Sequence, residues 1–284
     1  MIEELKELAR YKDLIRQLVI RDLKVRYKNS VLGFFWSLAN PLIQVATIWL
    51  VVKYILRLEM PNYSAYLLVG YLPWVYFQMA LLDSSQVVLT HRDLLKKVYF
   101  PREVLPISVV LANLVHFLLA LVILFAYLMF YRLFLHGAPI MMSALWLPAL
   151  ILLETLLITG ITFFVSCLNV FYQDTKYLLS ALLSVMFYLT PVMYVAELVY
   201  VRIPEAHRRL LYHIYLANPL NMLTDAYRKT LLPPFTAQAM RGMKISSLPL
   251  DYAMLGVAAL VCLLVAVVGY KFFNSRKWVF AEHI

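Results

Sequence analysis

Few side chains in this sequence have the types and spacing that catalysis requires. Glu154 is the one acid well inside a long apolar stretch, while His91 and Asp93 flank Arg92 in a polar connection. A carboxylate in such a stretch suggests a function, because burying it unpaired in lipid is costly. It would pair with a basic group such as Arg132 or face a pore. No nucleophile, base and orienting group can be assembled, so we predict no catalytic residue.

Motifs for nucleotide, metal and hydrolase sites are missing. None of the seven glycines precedes a Lys-Ser/Thr pair, so the phosphate-binding GxxxxGK[ST] loop is absent and the chain is not expected to hydrolyse ATP or hold a cofactor. HExxH and GxSxG are absent too, and Cys167 and Cys262 lie in apolar runs. We therefore expect no metal and no disulfide framework. GxxxG is also missing, so close glycine-mediated helix packing is not expected to be the assembly device.

The composition places most of this chain in lipid. Of its 284 residues, 63% are hydrophobic and 15% are charged, against roughly half and roughly a quarter in soluble domains. A soluble fold could not cover so much apolar surface. The net charge of +10 then indicates an anionic membrane surface, not nucleic acid, as the charged partner.

Six stretches are long enough to cross a bilayer, which takes about 20 apolar residues. They cover residues 31–56, 63–82, 104–135, 141–172, 177–195 and 253–273. Pro191 is expected to break the fifth span near its end. Residues 196–252 are semi-apolar and divided by five prolines, so short interfacial or re-entrant helices are predicted there. The sequence thus predicts an all-α polytopic membrane protein with one transmembrane domain over residues 1–284.

The basic residues predict the orientation of the spans. Sixteen of them lie in the N-terminal arm, in residues 83–103, at Lys176 and near the C-terminus, whereas Arg57 and Arg132 are alone in the two opposite short connections. Segment 196–252 holds seven, but long loops count for less. Because Lys and Arg collect on the cytoplasmic side, we expect both termini and residues 83–103 in the cytoplasm and segment 196–252 outside.

Residues 1–30 have the pattern of an amphipathic helix that lies on the membrane. At helical spacing, Leu14 and Leu18 share an apolar face, while Lys12 lies off it. Asp22 falls within the apolar face with Arg26 four residues later. Residues so spaced are neighbours on a helix, so an ion pair between them is expected.

Six motifs appear in an order that resembles one protein family. They are RDLKVRYKNSVLGFFWSLANPL at 21–42, GYLPW to LLKKVYFPREVLPIS at 70–108, NVFYQD at 169–174, LTPVMY at 189–194, ANPLNMLTDAYR at 217–228 and WVFAE at 278–282. With these motifs the chain is similar to the membrane subunits of type-2 ABC exporters of lipid-linked polysaccharides. The resemblance implies a homodimer in the bacterial cytoplasmic (inner) membrane, paired with two copies of a separate ATPase that binds ATP and magnesium.

The resemblance also implies where site residues lie. Within residues 83–103, a coupling helix would dock in the ATPase through Arg92, Leu94, Leu95, Lys96, Lys97, Val98, Tyr99, Phe100 and Arg102. The diphosphate of a polyprenyl-linked glycan, or anionic lipid, would meet Arg21, Lys24, Arg26 and Lys28. Aromatic rings suited to sugars would line or gate a path at Phe34, Phe35, Trp36, Tyr188, Tyr194, Tyr212 and Tyr215.

Two other functions remain compatible with the residues. One is a type-2 ABC exporter of drugs or smaller lipids. The other is a membrane-embedded enzyme acting on lipid-linked sugars, which would use Glu154, His91 or Asp93. The lack of a clustered acid–base set argues against the enzyme.

Overall fold

The computed structural model describes residues 8, 10–28, 34–55, 60–134, 142–239 and 243–280, without the side chains at 27, 34–38, 142, 238–239 and 243–244. The described residues form helices α1 (Lys12–Tyr27), α2 (Phe34–Leu50), α3 (Tyr63–Thr90), α4 (Arg92–Lys97), α5 (Val104–Phe134), α6 (Leu147–Phe171), α7 (Thr175–Leu189), α8 (Ala196–Arg202), α9 (Arg208–Leu216), α10 (Pro219–Leu231) and α11 (Tyr252–Arg276). Strands β1 (Thr236–Ala239) and β2 (Met243–Ser246) lie between α10 and α11.

Four helical stretches of the described chain are long and apolar enough to cross a membrane. They are Tyr63–Thr90, Val104–Phe134, Ser143–Phe171 and Tyr252–Val279. Two shorter apolar helices, Ala39–Ile55 and Thr175–Leu189, occupy the places of the first and fifth predicted spans. The all-α, multi-pass architecture is confirmed, and four of the six predicted spans have the required length.

Helix α3 extends farther than its apolar run predicts. The predicted span ends at residue 82, but the helix continues to Thr90. Ser84 donates to the main-chain oxygen of Ala80 at 2.5 Å, and Ser85 donates to that of Leu82 at 2.7 Å. These hydroxyls are satisfied within the helix, so they are buried without ending it. Of the region 83–103, only α4 forms a separate short helix.

The prolines that interrupt two predicted spans act in different ways. Pro41 lies inside α2, which continues to Leu50 and then widens into a π-helical turn, Val51–Ile55. Helix α7 instead ends at Leu189, and Pro191 follows in a turn. Proline removes a main-chain donor and crowds the preceding turn. The expected break before the end of the fifth span is therefore present.

Helices α6 and α11 meet at two opposed glycines. A Cβ atom built on Gly269 would overlap the main-chain oxygen of Gly160, and one built on Gly160 would overlap the main chain of Val265 and Ala266. The missing GxxxG motif bears on assembly between chains, and this glycine contact within the chain was not predicted. The two glycines are 109 positions apart in the sequence, so a search for GxxxG within one helix cannot find them.

The segment between α7 and α11 combines short helices with a β-hairpin. Helix α10 begins at Pro219 after Asn218, whose side chain accepts from the main-chain nitrogen of Leu220 at 3.1 Å. The hairpin pairs Thr236 with Ser246 and Ala239 with Met243 in antiparallel register. The sequence interpretation predicted helices here and no strands. Ion pairs and packing from other elements fix this segment, as described below.

Helix α3 connects the two ends of the bundle. At one end Tyr63 donates to the main-chain oxygen of Met193, and at the other the side chain of His91 contacts Arg21. We call the end with α1, α4 and the turn Lys277–Val279 the basic end. The end with α8, α9, α10 and the hairpin is the opposite end.

Candidate functional site

A polar cluster fixes α1 to the bundle at the basic end. An Arg26 nitrogen lies 2.5 Å from Asp83 Oδ2 on α3, and another donates to Asn113 Oδ1 on α5 at 3.2 Å. Asn113 also donates to Asp83 Oδ2, at 3.0 Å. The expected ion pair of Asp22 with Arg26 is wrong, because Asp22 pairs with Arg21 at 2.9 Å. Helix α1 is thus held by side chains from two other helices.

His91 provides the second attachment of α1. Its Nδ1 lies 2.8 Å from the main-chain oxygen of Val87, and its Nε2 contacts an Arg21 nitrogen. A carbonyl requires a donor at Nδ1 and a guanidinium requires an acceptor at Nε2, so this geometry selects the neutral imidazole. Burial, followed by the charge of Arg21, lowers the pKa of His91 below its ordinary value.

The four basic residues predicted for a headgroup fall into two groups. Arg21 and Arg26 line a cavity of about 660 Å³ between α1, α3 and α5, and both have acidic partners. Lys24 and Lys28 lie outside the residues that line this cavity, and Lys28 is exposed. An arginine that already pairs with a carboxylate attracts a second anion less strongly.

The predicted coupling residues also separate by burial. Helix α4 has no buried residue, and Tyr99 just beyond it is 82% exposed. Phe100, by contrast, is 5% exposed and belongs to the apolar cluster at this end, which Leu94 and Leu95 cover. Phe100 is therefore part of this chain's own core, and its prediction as an anchor in a partner is wrong. Burial lowers the pKa of Arg102, in the turn before α5.

Arg228 organises the opposite end, where the sequence interpretation assigned it no role. Its side chain is 2% exposed, and its nitrogens donate to the main-chain oxygens of Tyr66 at 3.1 Å, Val192 at 2.6 Å and Tyr194 at 3.2 Å, and to that of Pro191. The guanidinium also lies 3.9 Å from the centre of the Tyr66 ring. The forked guanidinium thus satisfies the carbonyls left unpaired where α7 ends.

A second buried cluster lies beside Arg228 and involves two other residues of α10. Lys229 Nζ is 2.6 Å from Asp225 Oδ2 and 3.5 Å from Glu197 Oε1 on α8. Glu197 also accepts from the main-chain nitrogen of Leu248, after the hairpin, at 3.1 Å. This cluster joins α10, α8 and the hairpin segment, which explains why that segment holds a fixed position.

Glu154 is hydrogen-bonded within the bundle. Its Oε2 accepts from the Tyr227 hydroxyl at 2.7 Å, and both side chains are buried. Arg132, in contrast, is exposed near the end of α5. Glu154 was predicted either to pair with a basic group such as Arg132 or to face a pore, and Tyr227 belongs to neither prediction. The hydrogen bond between Glu154 and Tyr227 joins α6 to α10.

The aromatic residues predicted for a glycan path lie in different environments. Tyr188 is exposed, and Tyr194 and Tyr215 are linked by their hydroxyls at 3.2 Å. Tyr212 is buried, with its ring centre 5.2 Å from that of Tyr200, so in this chain it packs and does not line an open path. Residues 34–36 begin α2, but their side chains lie outside the described part of the structure.

The sequence interpretation missed Asp83, Asn113, Arg228, Asp225 and Lys229. Their signal was weak: Asp83 and Asn113 are polar residues at the end of or within apolar runs, whereas Asp225, Arg228 and Lys229 lie in a short helix with several other polar residues. Their partners come from remote parts of the chain, so spacing alone could not pair them. Among the residues that the structure describes, no group of His, Cys, Asp and Glu is placed to hold a metal ion.

Comparisons with known proteins identify the family. The family model described as ABC-2 type transporter matches residues 13–232. An O-antigen export system permease protein RfbA of Klebsiella pneumoniae is 30% identical over 271 residues, which cover 95% of this chain and 94% of that protein. One of Myxococcus xanthus is 32% identical over 228 residues, covering 80% and 84%. With its membrane-length helices and this match, the chain belongs to the ABC-2 transporter membrane family.

Proposed function

We propose that this chain is the permease subunit of an ATP-driven exporter that moves a polyprenyl-diphosphate-linked polysaccharide across the bacterial cytoplasmic membrane. The observation that carries the proposal is the similarity over nearly the whole chain to relatives named as O-antigen export permeases. Two copies of this chain pair with two copies of an ATPase subunit. The ATPase binds ATP and magnesium, and this chain binds no cofactor.

The basic end supports docking of the ATPase. Helix α4 has no buried residue and carries Lys96 and Lys97 in its last turn, while Leu94 and Leu95 face the apolar cluster. Tyr99 beside it is exposed. A protruding basic helix with an aromatic residue has the composition of a docking site on a protein with an acidic cleft. In this proposal the basic end, with α1 and the turn Lys277–Val279, faces the cytoplasm.

The exposed sides of α2 and α7 support both a six-span topology and a homodimer. Leu42 and Ile43 on α2 are exposed, as are Leu178, Leu182 and Val185 on α7. The two helices have 17 and 15 residues, near or below the lower limit of about 17 for a span. Packing against a second copy buries the exposed apolar side chains of these helices, which are short for the thickness of the bilayer. The glycan path then runs between the copies, with Tyr188 on its wall.

Lys24 and Lys28 are the better candidates for contact with the diphosphate. Arg21 and Arg26 have acidic partners, and Arg26 holds α1 to Asp83. Changing Lys24 and Lys28 to Gln should lower export at unchanged protein level. Changing Arg26 to Gln should instead release α1 and lower the protein level. Normal export in the lysine double variant would remove diphosphate binding from this helix.

The test of the function is expression of this chain with the P-loop ATPase encoded beside its gene. Cells lacking their own O-antigen permease should regain surface glycan only when both proteins are present, and the ATPase should co-purify with this chain. Covalent change of a lipid-linked sugar by the purified chain alone would instead favour the enzyme. Co-purification with transport of drugs but no glycan would favour the other type of exporter.

A further inference from the structure

The last turn of the described chain is fixed against the segment that follows α4. Lys277 Nζ lies 2.6 Å from Glu103 Oε1, with side-chain exposures of 13% and 2%. The Arg102 guanidinium lies 5.8 Å from the centre of the Phe280 ring, which packs against Phe273. A buried ion pair and a buried ring hold the turn Lys277–Val279 in one position.

A cavity of about 390 Å³ separates this turn from residues 95–102, which we call the α4 segment. Its basic and aromatic lining residues are Lys96, Lys97, Tyr99, Phe100, Arg102, Lys277 and Trp278. No acidic residue is among the described residues that line it. Trp278 is 66% exposed at the rim. Lys277 is already paired with Glu103, and the positive charges of Lys96, Lys97 and Arg102, together with the exposed rings at the rim, suit the hollow to a carboxylate-bearing protein segment.

The position of Trp278 argues against a role as a membrane anchor. Lys271 and Arg276 precede it on α11 and are both exposed. Basic residues mark the level at which a span leaves the hydrocarbon. The seven residues from Lys271 to Trp278 place the ring about 10 Å beyond that level, at the helical rise of about 1.5 Å per residue. Trp278 also lines the same cavity as residues 95–102, so it lies level with the end of α4.

We propose that the C-terminal turn is a second docking element for the ATPase and that, with the α4 segment, it forms one surface that receives an acidic segment of that subunit. The proposal rests on the proposed function, since it requires an ATPase partner. Because the Glu103–Lys277 ion pair links the two sides of the cavity, a partner seated there moves α5 and α11 together.

A photo-crosslinking amino acid at position 278 tests the contact directly. It is placed in the full chain, and the complex with the ATPase is purified before irradiation. Position 99 serves as the site on the α4 segment, and position 145, which is 87% exposed at the opposite end, serves as the control. The proposal expects crosslinks to the ATPase from 278 and 99 and none from 145.

The outcomes separate this inference from the function on which it rests. A crosslink from 99 but not from 278 overturns the C-terminal element and leaves the exporter intact. An intact complex without a crosslink from either position overturns the whole surface. If no complex forms with the unmodified chain, both the inference and the proposed function fail.

Binding measurements give a second, independent readout. Trp278→Ala should weaken ATPase binding about tenfold, because exposed tryptophans that become buried carry much of an interface's energy. Leu145→Ala should leave binding unchanged. Both side chains are largely exposed, so neither change removes core packing. Equal affinity for the two variants would overturn the proposal.

Discussion

Arg228 donates to main-chain carbonyls, and none of its hydrogen-bond partners in the described part of the chain is an acid. The arrangement requires space on α3, where a Cβ atom at Gly70 would overlap the guanidinium. The sequence shows Arg228 as one polar residue in a short helix, and its acceptors lie as far as 162 positions away. Its burial could not be predicted, because it depends on where two other segments end.

Replacing Arg228 with Lys should destabilise the protein strongly. Lys carries its three donors on one nitrogen and cannot reach the carbonyls that lie on both sides of the Arg228 guanidinium. Each buried group left unpaired costs about 1–3 kcal/mol. The midpoint of thermal unfolding in detergent should fall for Arg228→Lys. The exposed Arg209 is the matched control, and Arg209→Lys should leave the midpoint unchanged. Equal midpoints would show that the carbonyl contacts contribute nothing.

The contact of His91 with Arg21 should depend on pH. The pKa of His91 is lowered in the folded chain, so the free imidazole, with an ordinary pKa of about 6.5, binds a proton more readily than the docked one. Docking of α1 is therefore favoured above about pH 6.5 and lost as the pH falls through and below that value. Hydrogen exchange in α1, corrected for intrinsic rates, should rise from pH 8 to pH 6. His91→Gln should remove this dependence, and an unchanged pH profile would contradict the assignment.

At the scale of elements, apolar length predicts where helices lie but not how they meet. The long apolar runs predicted α3, α5, α6 and α11, and the basic amphipathic pattern predicted α1. The continuation of α3 to Thr90 was missed because its serines bond to their own helix. The hairpin was missed because its support comes from Glu197 on α8. Local pattern carries no information about such distant contacts.

The crossing of α6 and α11 should be sensitive to one methyl group. Gly269→Ala places a Cβ against the main-chain oxygen of Gly160, so the helices must separate and stability should fall. Gly256 on α11 has nothing within 4 Å of an added Cβ. Gly256→Ala should therefore be neutral or stabilising by about 0.5–1 kcal/mol, as expected in a helix interior. Thermal unfolding of the two variants compares them, and equal effects would refute a close crossing.

At the scale of the whole molecule, the two ends differ in chemistry and should respond differently to mutation. The basic end presents α4 and Tyr99 outward over a closed apolar cluster that contains Phe100. The opposite end is held by buried charges on α8 and α10. The sequence located both regions, but it did not show that Tyr99 is exposed while its neighbour Phe100 is buried.

The neighbours Tyr99 and Phe100 should therefore separate binding from folding. Tyr99→Ala should weaken association with the ATPase while the unfolding midpoint stays unchanged. Phe100→Ala should lower the midpoint, because removing a buried phenylalanine costs about 3–5 kcal/mol. Co-purification and thermal unfolding measured on both variants provide the check. Loss of stability in the tyrosine variant would show that its ring is part of the core.

The contacts of Arg228 also have a consequence for biosynthesis. Tyr66 is made 162 residues before its guanidinium partner, which at about 5–20 residues per second corresponds to roughly 10–30 s of chain elongation. Throughout that interval the carbonyl of Tyr66 has no guanidinium to bind, and the carbonyls after α7, which are made 34 to 37 residues before Arg228, lack it for a shorter time. A nascent chain that stalls before residue 228 keeps these ends open, and a membrane protease can recognise it as unfinished. Completion of α10 is thus the step that supplies Arg228 to these carbonyls, and the hairpin segment with Leu248 then completes this end.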